Sequence, residues 1–177
     1  SIASLPNGNV FFTYSPANTN NELFFQIRDK NGELVVGETE IHDAAEAYNK
    51  VVVLNNGNVF ILYDVHSGFA LEFQIWDQHG NQVKGGTVTE SGFMNKLDCE
   101  VLPNGDVFII YTPLVGIVNH VYYQIWDENG NQKVGATALI EDHTAFIDMA
   151  VLTNGNVVVA AISGLSPYGG KFVILEG

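Results

Sequence analysis

Apolar residues in this chain fall in short runs separated by turn-forming clusters, and no window carries a helical stripe of apolar positions. Between residues 50 and 90 four strands are predicted in succession. Lys50–Leu54 is a Val-rich run stopped by Asn55-Asn56-Gly57. Asn58–Asp64 is apolar at nearly every position, as a strand covered on both sides must be. Leu71–Asp77 is rich in β-formers and stops at Asp77-Gln78-His79-Gly80, while Gly86–Glu90 is short and Thr-rich, as suits an outer edge. Asn-Gly between two apolar runs predicts a tight hairpin, because both residues tolerate positive φ where other side chains clash. His42–Lys50 has room for a single helical turn.

The same pattern recurs along the whole chain. Leu-Pro-Asn-Gly-Asn-Val-Phe at 5–11 returns in near-identical form at 54–60, 102–108 and 152–158, so Gly8, Gly57, Gly105 and Gly155 lie 49, 48 and 50 residues apart. A second marker, Gln-Ile-Arg/Trp-Asp-x-x-Gly, keeps phase and ends at Gly32, Gly80 and Gly130. A further glycine follows at Gly37, Gly85 and Gly135. Four-stranded meanders of this length, apolar on both faces, cannot bury themselves singly and must stack. The predicted fold is all-β and β-propeller-like, with about four four-stranded antiparallel blades of 48–50 residues, the last lacking its outer strand. The rival, a duplicated β-sandwich, would want one polar face per strand, which Val59–Tyr63 and Val107–Tyr111 do not offer. One repeat domain is expected over 1–177, with units at approximately 1–48, 49–97, 98–147 and 148–177.

The markers Leu-x-Asn-Gly-x-Val-Phe and Gln-Ile-Trp-Asp-x-x-Gly resemble the blade-type β-propeller repeats of large secreted or surface proteins of bacteria. This sequence differs in having Asn or Asp where a second glycine is common, at Asn9, Asn58, Asp106 and Asn156. The resemblance implies an extracellular or cell-surface repeat module, of a kind found in adhesins and calcium-linked exoproteins. Fifteen strands can be counted, and the fourth unit has Val173-Ile174-Leu175-Glu176 in place of the third-strand signature. Three arrangements follow: a four-bladed ring with a trimmed last blade, half of a larger ring completed by a second copy, or a segment of a longer protein. The absence of an initiator Met and a signal peptide fits a processed or excised chain. Self-association or a neighbouring domain is expected at the open blade edges.

Charge adds a further constraint. Seven Lys and Arg against 20 Asp and Glu give a net charge of −13, which disfavours nucleic acid and favours cations. No apolar run is long enough for membrane insertion. The single cysteine, Cys99, allows no internal disulfide and reads as a buried thiol. Alternating strand direction places the repeated Asn-Gly and Asp-x-x-Gly turns at one end of each meander and the variable connections at the other. Those connections are acidic. Glu90, Glu141 and Asp142 lie within them, and Asp98 and Asp148 occupy matching positions on first strands, so the two could meet around an axis at a cation or glycan. Asp29, Asp77 and Asp127 in the Asp-x-x-Gly turns offer a weaker calcium alternative to their ordinary role as turn caps. No cofactor is expected beyond that calcium.

No zinc spacing, nucleophile elbow, phosphate loop or dinucleotide fingerprint is present, so no catalytic residue is assigned. The function expected is a non-enzymatic extracellular module for binding, adhesion or assembly. The alternatives are a glycan-active hydrolase or lyase using Asp98, Asp148, Glu90 and Glu141, and a filament or coat subunit completed by strand sharing.

Overall fold

A computed structural model describes residues 1–16, 22–43, 45–65, 70–89, 94–113, 120–141, 144–163 and 169–176. Its contacts divide into two compact units, Ser1–Glu90 and Ser91–Gly177. The first holds two antiparallel sheets: β1 (Ile2–Ser4), β2 (Val10–Tyr14), β3 (Leu23–Arg28) and β4 (Leu34–His42), then β5 (Ala45–Val53), β6 (Val59–Val65), β7 (Ala70–Trp76) and β8 (Gln82–Thr89). The second holds a four-stranded sheet of β9 (Met94–Val101), β10 (Val107–Pro113), β11 (Val121–Trp126) and β12 (Gln132–Ile140). It also holds a three-stranded sheet of β13 (Thr144–Val151), β14 (Val157–Ser163) and β15 (Gly170–Leu175). Each sheet is a simple meander in sequence order, and the fourth lacks an outer strand among the described residues.

Strand alternation decides what each sheet buries. In the first unit, Phe11, Phe25 and Ile27 of the first sheet form one core with Val59, Ile61, Tyr63 and Trp76 of the second. Phe25 lies 4.8 Å from Trp76, ring centre to ring centre. The second unit repeats this arrangement: Phe108 and Ile110 of the third sheet form a core with Val157, Val159 and Ala161 of the fourth. Each sheet therefore has a Phe face, carrying the residue after the hairpin valine, and a Val face, carrying the valine itself. Both cores are made by the Phe face of one sheet and the Val face of the next. β6 and β10 are buried at every position, which is why their sequences are continuously apolar.

Several sequence expectations need correction. Residues 42 and 45–50 carry no helical turn; they end β4 and begin β5, because β-sheet pairing continues past the predicted strand ends through a register shift between Ala45 and Asn49. β8 runs for 8 residues rather than five. It is exposed at most positions and so leaves little apolar pattern to detect. The Asn-Gly hairpin forms as a three-residue loop rather than a two-residue one. Leu5 N–H donates to Asn9 O and Gly8 N–H to Leu5 O, which makes a three-residue loop ending on a glycine of φ 85°. Here Asn7 contributes its side chain, accepting the Asn9 N–H at 3.0 Å. Pro6 pre-sets the φ that the first turn position needs.

Candidate functional site

The two ends of each meander differ in what their carboxylates do. At the repeated-turn end, Asp29, Asp77 and Asp127 each accept two backbone N–H groups of their own turn. Asp77 Oδ1 takes His79 N–H and Asn81 N–H, both at 2.9 Å, and Oδ2 takes the Asn81 amide at 2.9 Å. Asp127 repeats this with Asn129 and Asn131. Asp29 does the same with the N–H groups of Asn31 and Glu33. These bonds favour the ionised form. The Glu33 and Asn31 N–H groups hold the Asp29 carboxyl below its ordinary range. At Asp77 and Asp127 partial desolvation pushes upward, but bonds from Asn81 and Asn131 outweigh it and the net direction is down. The turn carboxylates thus act as caps in this geometry. Among the described residues no group of three or more His, Cys, Asp or Glu side chains is gathered as a metal-binding cluster.

Within the first unit the turn ends of both sheets lie together: the Asn7 amide donates to Gln78 Oε1 at 2.9 Å, joining an Asn-Gly turn to an Asp-x-x-Gly turn. In the second unit, Leu102, Pro103 and Asn104 share a shallow groove with Thr153, Asn154 and Gly155. Asp106, where other units have Asn, is buried and takes Lys133 Nζ at 2.7 Å.

At the opposite end the predicted residues separate. Glu90 and Asp142 lie outside the described residues. Glu141 is exposed just beyond β12, in an open groove with Lys171 and Phe172. Asp98 is buried in β9 and its Oδ1 accepts the Cys99 N–H at 2.9 Å. Asp148 is exposed in β13 and accepts the Met149 N–H at 3.0 Å. The two are equivalent, but equivalence works against their meeting. Asp98 is opposite Ile110, on the side of the third sheet that faces the fourth. Asp148 is opposite Ala160, on the far side of the fourth sheet. Asp98 therefore faces the fourth sheet, whereas Asp148 faces away from the third. Cys99 is fully buried. His42 and Asp43, adjacent in a variable connection, approach to 3.5 Å.

Sequence reading missed a ladder of polar side chains. Gln74 donates to Tyr63 Oη at 3.1 Å and to the Ile41 carbonyl at 2.9 Å, and its Oε1 accepts Trp76 Nε1–H at 2.9 Å. Gln124 bonds Tyr111 and Trp126 in the same way, and Gln26 bonds Tyr14 and Arg28. Burial and the neighbouring Glu72 push the Tyr63 phenol upward. The repeated Gln-Ile-Trp string was the available signal; it encodes a hydrogen-bonded rung rather than a sugar-stacking platform, since Trp76 and Trp126 are buried. Asp64, the last residue of the predicted Asn58–Asp64 strand, is buried within β6.

No family model matches the chain, and no curated protein matches it in sequence. Solved structures do match in shape. A protein of unknown function from Dyadobacter fermentans superposes with a TM-score of 0.67 at 13% identity, over 99% of this chain and 59% of its own. The NanB sialidase of Streptococcus pneumoniae gives 0.63 at 14%, over 99% and 30%. A polysaccharide lyase described as a PL25 ulvan lyase gives 0.61 at 10%, over 90% and 44%. The fold is propeller-like. The chain spans between about a third and three fifths of the length of these structures. No helix among the described residues is long and apolar enough to cross a membrane.

Proposed function

We propose that this chain is a non-enzymatic, extracellular or cell-surface β-propeller-type repeat module for binding, adhesion or assembly through the variable, acidic ends of its sheets. The observation that carries the reading is the contrast between the two ends of each sheet. Turn carboxylates are bonded to their own backbone, whereas Glu40, Asp43 and Glu141 beside the variable connections are exposed. Recognition chemistry therefore concentrates where sequence also varies, on loops held by a repeated scaffold. Titration with calcium and with a panel of oligosaccharides, followed by backbone NMR, tests it. Shifts confined to 40–46, 90–98 and 141–148 are expected, while shifts confined to the Asp-x-x-Gly turns would move the site to the other end.

A glycan-active hydrolase or lyase is the second reading, favoured by the shared fold with the sialidase and the lyase. It requires a carboxylate pair at catalytic spacing. Release of reducing ends or unsaturated products from any polysaccharide, lost in Asp98→Asn, would establish it over the first. Strand sharing in a filament or coat would use the outer edge of β15, which has no fourth strand beside it among the described residues.

A further inference from the structure

Two faces of this molecule repeat a buried interface but are themselves uncovered. The fourth sheet turns its Val face into the core of the second unit, and its Phe face points outward with Phe172 72%, Ile174 52% and Ile162 49% exposed. Residues at the positions of Phe172 and Ile174 in the first sheet, Phe25 and Ile27, are fully buried against the Val face of the second. The first sheet has the opposite imbalance. Its Phe face is buried and its Val face points outward, where Ile2 is 70% exposed and Phe12 is partly exposed. At the position of Ile2, Val51 is 5% exposed in the first core and Met149 8% in the second.

We infer that the Phe face of the fourth sheet in one copy of this chain docks on the Val face of the first sheet in a second copy. The contact repeats the interface that joins the first sheet to the second and the third to the fourth. It needs no new type of surface, because the two uncovered faces are the two halves of that interface. The Tyr14–Gln26–Arg28 rung on the receiving face is no obstacle, since the matching Tyr63–Gln74–Trp76 rung lies on a face already packed in the first core. The donor face carries Asp148, and the receiving face carries Arg28 together with Glu38 and Glu40, so charge opposes the contact at low salt and apolar burial must supply it. Such a contact is heterologous, joining unlike surfaces, and either closes into a ring or extends. It deepens the assembly part of the proposed function, and because its readout is mass, a monomer would leave ligand binding at the loops untouched.

Sedimentation of the 177-residue chain from about 10 µM to about 1 mM tests it, a span that reaches millimolar dissociation constants. Concentration-dependent dimers or larger species are expected. Each copy carries −13, so association should strengthen as salt screens the repulsion. Ile2→Lys and Phe172→Lys alter exposed side chains, and each should weaken association by about tenfold or more, with unchanged melting temperature. An equimolar mixture of the two variants keeps one intact pair of faces and should recover 1:1 dimers. A wild-type chain that stays monomeric at about 1 mM, or variants that associate as the wild type does, would overturn the inference.

Discussion

At the residue scale, the glycines that end the repeated turns are not equivalent. Gly32 and Gly80 share a φ near 85°, yet a Cβ on Gly32 would meet nothing within 4 Å while one on Gly80 would come 2.8 Å from Val36 Cγ1. Valine is stiff about χ1 and cannot swing aside. Gly32→Ala should cost about 1 kcal/mol from the left-handed backbone alone, and Gly80→Ala clearly more, as read by urea denaturation. The turn aspartates give a pH signature. Their folded-state pKa values lie below the ordinary value, so the stability they supply is present above about pH 4, the unfolded aspartate range, and is lost as pH falls through the folded values. Asp77→Asn combined with Asp127→Asn should flatten the acid limb of the stability curve while leaving a smaller loss at neutral pH, measured by melting from pH 2 to 7. This role was legible in the sequence, since Asp three residues before Gly is a turn signal. The three-residue loop was not: Asn-Gly looks the same whether Asn supplies a positive φ or a side-chain acceptor.

At the element scale, the Tyr–Gln–Trp rung shows why the fourth unit departs from its siblings. Tyr111, Gln124 and Trp126 correspond to Ala161, Val173 and Leu175, so all three members are apolar together. Partial replacement would strand buried polar atoms without partners, which costs about 1–3 kcal/mol, whereas replacing a whole set can be nearly neutral. Gln124→Val alone is therefore expected to lose at least about 2 kcal/mol, because both the Tyr111 hydroxyl and the Trp126 indole N–H lose a partner. Tyr111→Phe in the Gln124→Val background should cost less than in the wild type, and a double-mutant cycle measures the coupling. The sequence count of fifteen strands matches the fifteen among the described residues, because buried runs such as β6 announce themselves. Sequence reading shortened β5 and β8, whose extra residues are polar, exposed or shifted in register.

At the scale of the whole molecule, the acidic balance sets behaviour in solution. With a sequence pI near 4.5, solubility should pass through a minimum close to that pH, where repulsion between copies vanishes while apolar side chains such as Phe146 and Phe172 stay uncovered. Turbidity across pH 3–7 checks this, and Phe172→Lys should narrow the turbid range. Apolar runs and turn signals made the architecture readable, since both are local. The candidate site was not, because whether Asp98 and Asp148 meet depends on which side of a sheet each occupies, and first strands of equal phase put them on like sides of different sheets. The middle pairs β2–β3, β6–β7 and β10–β11 run in unbroken register, while β4, β8 and β12 join them through register shifts. The far ends of these strands still reach the interior through Ile41, Val88 and Ile140, so a foreign peptide epitope is best carried by their exposed opening residues, where the same graft is repeated from sheet to sheet.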